Sequence, residues 1–431
     1  MFFETSPERV IWTERHRVAL GTSIGSLVAE LAAGSAGRVA NPGQAIFDNL
    51  LVEPSTTVRR ASTGTVRLAQ SGYSVSEGAG VLTLRAVRAG DTSVETTVDY
   101  ATEPFDGRPC AEMDGRARPR CDFLTAAGTL RFQPGETEQT FTIFITDDSY
   151  REGTETFRVA LGLPSQGILE SPQSATVTIT DNDAEGAAQK NPILTTQFFV
   201  RQQYLDFLNR VPDTDGFNAW VGVLEGCAFG GNFGPGKSGS DPTCDRITVS
   251  SSFFRSQEFQ IKGYFVYRYY KASLGRLPTY EEFLRDTTSV TGATEAEVVA
   301  KREAFGAAWV RRADFVALTE TLTDGEYVEY LGATSGVEVG GSVRAQMVSD
   351  LGAGRRTRAQ VLRAVVDSAE FFEREYNAAF VLMQYFGYLQ RDPDAAGYQS
   401  WLTLINRTGD YRTMIFGFLY SQEYQMRFGP L

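Results

Sequence analysis

The chain has 431 residues, room for two or three domains, with 42% hydrophobic and 22% charged residues and a formal net charge of −12. So acidic a chain repels nucleic-acid phosphate instead of attracting it, and no run of about 18 apolar residues offers a membrane-spanning helix. A single histidine, His16, all but excludes Ser-His-Asp and Cys-His catalysis. No HExxH, GxSxG, P-loop or dinucleotide fingerprint occurs, and the plentiful Asp and Glu single out no glycosidase-type pair.

At the start, Arg15, His16 and Arg17 precede a weakly apolar stretch, 18–33, that superficially resembles a signal sequence but is interrupted by Glu30 and by Gly and Ser. The piece AIFDNLLVEP (45–54) reads like the last strand of a preceding β domain. Residues 1–62 are expected to be a poorly defined N-terminal segment, the remnant of such a domain or a start set inside a longer protein.

Residues 63–184 have the texture of an all-β domain. VRLAQSGYSVSEG, VLTLRAVR, TTVDYAT, GTLRFQPG, QTFTIFITDD, ETFRVALG and SATVTITDND alternate apolar with polar residues between turn residues. Seven strands at this spacing predict a two-sheet Greek-key, immunoglobulin-like sandwich. Its inward set is Val81, Leu82, Leu84, Val98, Leu130, Phe132, Phe141, Ile143, Phe157, Val159, Val177 and Ile179. The acidity concentrates here: 65–183 hold 18 Asp or Glu against 10 Arg and no Lys. The acids fall in turns and strand ends, Glu77 in SVSEGAG, Asp106 after TTVDYAT, Asp147, Asp148 and Glu152 in TDDSYREG, and Asp181 and Asp183 at the close. A Greek-key sandwich brings such ends to one tip, where clustered carboxylates repel one another unless a cation sits among them. Calcium, which takes six to eight oxygens, would suit the set, although Asp, Asn and Gly also populate β-turns for conformational reasons alone.

The four cysteines form two local pairs, Cys110 with Cys121 and Cys227 with Cys244, each bracketing a loop-like segment. Without CxxC spacing, and with almost no histidine, zinc is a poor fit; two disulfides and an oxidising compartment fit better.

After a polar linker, 185–194, the period becomes helical. TQFFVRQQYLDFLNR places Phe198, Phe199, Tyr204, Leu205 and Leu208 on one face, and 195–431 read as helices joined by Gly-rich loops. This half repeats internally. SQEF (256–259), RADF (312–315), SAEF (368–371) and SQEY (421–424) place aromatics 56, 56 and 53 residues apart. In step with them run phrases starting at Tyr204, Tyr270, Tyr327 (degenerate) and Tyr385, so about four stacked helical units are expected. In the RxPD phrases, Arg210 and Arg391 end a helix, Pro212 and Pro393 suit the next turn, Asp213 and Asp394 cap the following helix, Gly216 and Gly397 allow close packing, and Trp220 and Trp401 anchor the core. The competing reading is that these acids hold a second calcium.

YSVSEGAG, VDYAT, GTLRFQPGET, FITDDSYREGTETF and TVTITDND resemble the Calx-beta domain, a family named for the regulatory calcium-binding segments of sodium–calcium exchangers and widespread in bacterial secreted and surface proteins. The resemblance implies calcium ligands at Glu77, Asp106, Asp147, Asp148, Glu152, Asp181 and Asp183, with a main-chain carbonyl near Tyr150. Two departures stand out: the loop of Asp106 carries an insertion with Cys110 and Cys121, and the closing triplet is DND. FLNRVPDTDGFNAW (207–220) and YLQRDPDAAGYQSW (388–401), with the SxEF phrases, resemble domain of unknown function 4214 (DUF4214), a repeat of large exported bacterial proteins distantly like phycobilisome linkers, which implies scaffolding or assembly. The expected protein is a multidomain β + α, non-enzymatic, calcium-binding structural, adhesive or scaffolding protein, secreted or at the bacterial cell surface. Its expected partners are calcium ions and surface polysaccharide or other exported proteins, with no nucleic acid. The alternative is an accessory binding region of a larger exported enzyme such as a glycan-degrading hydrolase.

Overall fold

The computed structural model describes residues 2–5, 13–17, 64–183, 190–232, 241–292, 294–337 and 340–431. The strand expected at 45–54 lies outside the described residues, as does most of the N-terminal segment; within it, β1 (Phe2–Thr5) and β2 (Thr13–Arg17) pair antiparallel.

The alternating segments form a sandwich of β3 (Thr65–Leu68), β4 (Gly72–Ser76), β5 (Val81–Ala89), β6 (Thr96–Thr102), β7 (Ala127–Phe132), β8 (Glu138–Phe144), β9 (Thr154–Leu161), β10 (Ile168–Leu169) and β11 (Ser174–Thr180). One sheet runs β10-β3-β5-β8 and the other β4-β11-β9-β6-β7. The order is of Greek-key type, since β5 pairs with β8 and β6 with β9 across the intervening connections. Every second residue of β6 and β9 is buried, as a pleat with one face on the core requires. Val66, Leu84, Phe141 and Ile143 of one sheet meet Val98, Phe132, Val159, Val177 and Ile179 of the other. Val81 and Leu82 of the expected inward set are only half-buried.

The first of the seven expected strands is in fact two. Its halves lie in different sheets, β3 antiparallel to β5 and β4 parallel to β11. The bend at Ala69–Ser71, between β3 and β4, lets the chain cross between layers, which an alternation read along one line does not reveal.

Beyond the sandwich the chain is helical. The end of the segment read as linker is packed: Asn191 and Ile193 are buried, and the Asn191 side-chain amide donates to Gln425 O and Gly429 O at the C-terminus. Asp213 and Asp394 cap the helices Thr214–Glu225 and Ala395–Thr408, accepting from Gly216 N and Gly397 N. A Cβ on Gly216 or Gly397 would stand 2.3 or 2.5 Å from the hydroxyl of Tyr204 or Tyr385, so each glycine lets the first tyrosine of its phrase press against the capped helix. Trp220 and Trp401 are half-buried at the rim of the core, whereas Trp309 lies wholly inside it.

The repeated phrases are clamped together by an arginine. Arg210 forms a forked pair with Glu258 (3.0 and 2.8 Å), and Arg391 with Glu423 (2.7 and 3.0 Å). Each acid belongs to the next serine–acid–aromatic phrase. Arg276 reaches Asp314 of RADF at 3.8 Å. These arginines also lie over Tyr204, Tyr270 and Tyr385. A helix-end arginine therefore does more than oppose a dipole; it fixes one unit's turn to the next unit's helix start by charge-assisted, planar hydrogen bonds. In the degenerate unit Ala333 stands where the arginine would be, and no such clamp forms.

Among the described residues, the two halves touch along two strips. The helix Tyr280–Ser289 lies on edge strand β7, with Arg285 pairing with Asp99 (3.1 Å) and the Thr288 hydroxyl reaching Ala127 O (3.5 Å). The C-terminal residues meet the acidic end of the sandwich.

Asp213→Ala and Asp394→Ala should each lower the stability of the helical half by about 1 kcal/mol, the cost of losing an N-cap, and leave calcium titration unchanged. A loss of bound calcium in either variant, measured calorimetrically, would support the competing reading of these acids instead.

Candidate metal centre

The acids converge because the strands that carry them end at the same edge of the sandwich. The three-residue turn Glu77–Ala79 joins β4 to β5, and 145–153 join β8 to β9. Residues 181–183 follow β11, and Asp122 lies in the insertion between β6 and β7. Two groups of carboxylates result, Glu77, Asp148 and Asp183 in one, and Asp122, Glu152 and Glu155 in the other; within each, one oxygen from every residue lies within 4.8 Å of the others. Oxygens that share a cation at 2.3–2.6 Å stand no more than about 5 Å apart, so both groups are tight enough.

Local hydrogen bonds hold these side chains in place. Glu77 Oε1 accepts from Asp148 N (2.7 Å), Asp148 Oδ1 from Tyr150 N (2.7 Å), and Asp122 Oδ2 from Arg118 N. Asp148 Oδ2, Asp122 Oδ1 and Glu155 Oε1 are buried and, among the described residues, meet no donor other than the carboxyls of their own site, a costly state for a charged group.

Burial and mutual repulsion show in the acidities. Burial, with the charges of Asp183, Asp147 and Asp181 beside it, pushes Glu77 up to about 8. Burial holds Asp122 up at about 6 and, with the Asp122 charge, Glu155 at about 8. Asp148 is pushed well above the carboxylate range by burial and by Glu77. Glu152 rises to about 11 through burial and the charges of Asp122 and Asp148. The influence of Asp122 on Asp148, and of Asp148 and Glu77 on Glu152, makes the two groups one acidic site.

Of the residues singled out by sequence, Glu77, Asp148, Glu152 and Asp183 belong to this site. Asp147 and Asp181 flank it in bracing roles: Asp147 Oδ1 accepts from the Asn182 amide (2.9 Å), and Asp181 Oδ2 from Glu152 N and Gly153 N (2.9 and 2.8 Å). Tyr150 lies on the same loop, with its hydroxyl donating to Met426 O (3.1 Å). Asp106 is not brought into either group. The insertion carries it against Arg118 (3.4 Å) and Arg108 (3.9 Å), whose charges it answers.

Asp122 and Glu155 were not anticipated. Glu155 had a visible signal, for it occupies the inward phase of β9, two residues before Phe157 and four before Val159. Asp122 sits between Cys121 and the buried Phe123, which stacks on Phe157 at 3.9 Å; an acid pinned between a disulfide and a core aromatic is poorly described as loop.

The cysteines are paired as expected, Cys110 with Cys121 and Cys227 with Cys244. Asp241 approaches the second pair, but sulfurs joined to each other are not thiolate ligands. The acidic site offers oxygen donors alone, which suits a hard cation such as calcium rather than zinc or copper.

Residues 60–183 match the family model of the Calx-beta domain, and residues 363–428 that of DUF4214. The sodium/calcium exchanger Calx of Drosophila melanogaster is 39% identical over 115 residues, 26% of this chain and 11% of that protein. Sodium/calcium exchanger 1 of Mus musculus is 33% identical over 136 residues, 27% of this chain and 13% of its own. The extracellular matrix organizing protein FRAS1 of Mus musculus is 35% identical over 121 residues, 27% and 3% respectively. The chain thus spans between 3% and 13% of these relatives. Among solved structures, the apo-form Calx CBD1 domain is 35% identical, with 28% of this chain and 99% of that one covered and a TM-score of 0.25.

Raised acidities fix the sign of a pH effect. Glu77, Asp122 and Glu155 keep protons in the folded state up to about 6–8, while the unfolded chain releases them near 4. In that window the folded state holds more protons, so stability falls as pH rises. In chelator, the melting temperature of the sandwich should be lower at pH 8 than at pH 5, each kcal/mol lost costing about 4–8 °C. A flat or rising profile in scanning calorimetry would contradict the crowded-carboxylate picture.

Proposed function

We propose that this chain, which carries a Calx-beta domain at 60–183 and a DUF4214 domain at 363–428, holds calcium at the acidic end of its sandwich. We read it as a non-enzymatic structural, adhesive or scaffolding protein of the cell exterior. The observation that carries the calcium reading is the pair of adjoining carboxylate groups whose buried oxygens face only one another's carboxyls among the described residues. Glu77, Asp148 and Asp183 would hold one ion, and Asp122, Glu152 and Glu155 another, with Glu152 and Asp148 adjacent to both. Bound calcium supplies the positive charge that the site lacks, and it replaces protons as the means by which these acids stay buried.

Support for a place outside the cell comes from the two disulfides, which persist in oxidising surroundings. The structural role is supported by the make-up of the helical half. Its arginines, tyrosines and acids are engaged in holding units together, and this suits a surface that contacts exported proteins or surface polysaccharide.

Isothermal titration of calcium into the full chain tests the reading. Asp148→Asn/Glu152→Gln should abolish the heat of binding, and Asp122→Asn should weaken it strongly. Asp106→Asn, which alters neither carboxylate group, should bind far more nearly like the unaltered chain than either of these variants. Wild-type protein that gives no heat, or an Asp148→Asn/Glu152→Gln chain that binds normally, would refute the assignment.

A further inference from the structure

Three of the segments that supply carboxylates are also the segments on which the helical half is seated. Next to Glu77, Gly80 O accepts from the Arg201 guanidinium (3.2 Å) on the helix Thr196–Leu208. Two residues before Asp122, Arg120 O accepts from Arg427 Nε (2.8 Å), and the Arg120 guanidinium pairs with Glu423 (3.0 Å). Between Asp148 and Glu152, Ser149 N and its hydroxyl donate to Phe428 O (3.1 and 3.2 Å), and the Tyr150 hydroxyl donates to Met426 O. Gly429 fits against Ser149 so closely that a Cβ there would overlap its hydroxyl.

All but one of these joint contacts use a main-chain atom. Three of them, at Gly80 O, Arg120 O and Ser149 N, depend directly on where the backbone of an acidic loop lies. Carboxylates that repel one another spread the loops; a cation that gathers the carboxylates sets the loop backbones, and with them Gly80 O, Arg120 O and Ser149 N. The strip between the helix Tyr280–Ser289 and β7 involves none of the clustered acids.

We infer that cation binding at the acidic end locks the joint between the sandwich and the helical half, and that without the cation the sandwich swings about the β7 strip. The inference rests on the calcium reading of the site and goes beyond it, because a cation could bind there and leave the joint unchanged. Linkage makes the effect reciprocal: whatever weakens the joint must also weaken cation binding by the same factor.

The test uses the full chain with calcium chloride or EDTA, followed by small-angle scattering, scanning calorimetry and calcium titration. The expected result is a smaller radius of gyration and one unfolding transition in calcium, and a larger radius with two transitions in EDTA. The variant Arg201→Lys/Ser149→Ala keeps every charge at the joint while removing two of its contacts; it should bind calcium about 5-fold more weakly or worse, the low end of ordinary coupling between sites. Calcium heat with unchanged scattering, and a variant that binds as tightly as wild type, would overturn the locked joint and leave the site assignment standing. No heat in the wild-type chain would overturn both.

Discussion

Carboxylates held at close quarters in a partly dry environment cannot all be ionised at once, and the acidic end of the sandwich is built around that constraint. The strand ends that carry Glu77, Asp122, Asp148, Glu152, Glu155 and Asp183 are fixed by a core of Leu84, Phe141, Ile143, Phe157 and Val177. The acids therefore cannot drift apart without unpacking hydrophobic residues, each worth roughly 1.5–3 kcal/mol of burial. What remains is to take up protons or a cation. The raised acidities of Glu77 and Glu155 express the first option, and the all-oxygen donor set suits the second.

The helical half answers a different problem, that of holding successive recurrences of one phrase against each other. Asn209 and Gln390 take the left-handed conformation at the ends of equivalent helices, which turns the chain so that Arg210 and Arg391 project toward the next unit's acid. The same phrase supplies the capping aspartate three residues later and the glycine that admits the tyrosine hydroxyl. Local cap, close approach and inter-unit ion pair are thus one repeating device. Arg427 extends the device to the sandwich. Wholly buried, it pairs with Asp206, donates to Tyr388 O, and reaches across to Arg120 O.

Much of this was legible in the sequence, for identifiable reasons. A period of two marked the strands, and phrases in step at 204, 270 and 385 marked the turns where Arg210, Arg276 and Arg391 meet later acids. Turn acids such as Glu77 and Asp148 stood out because turns near strand ends meet at one tip. What stayed hidden depended on three-dimensional neighbours. Asp106 lies in as plausible a turn as Glu77, but Arg118, twelve residues on, folds back to claim it. Asp122 follows the bracketed segment directly, and only the burial of Phe123 beside it draws it into the site. Glu155 is buried on the inward phase of β9, where a polar residue is not expected from alternation alone. The split of β3 from β4 escaped notice because alternation reports facing and says nothing about which sheet a residue joins.

The Cys110–Cys121 bridge gives the insertion a meaning beyond that of a staple. It closes a ring across 11 positions, which in the chain-entropy account removes about 3 kcal/mol of freedom from the unfolded ensemble. Asp122 and Arg120 sit on either side of its second cysteine, one facing the acidic site and the other the helical half. An oxidised crosslink therefore delivers an acidic oxygen and an interdomain contact on one preorganised arc, so the ordering entropy of both is met when the cystine forms rather than when a ligand arrives.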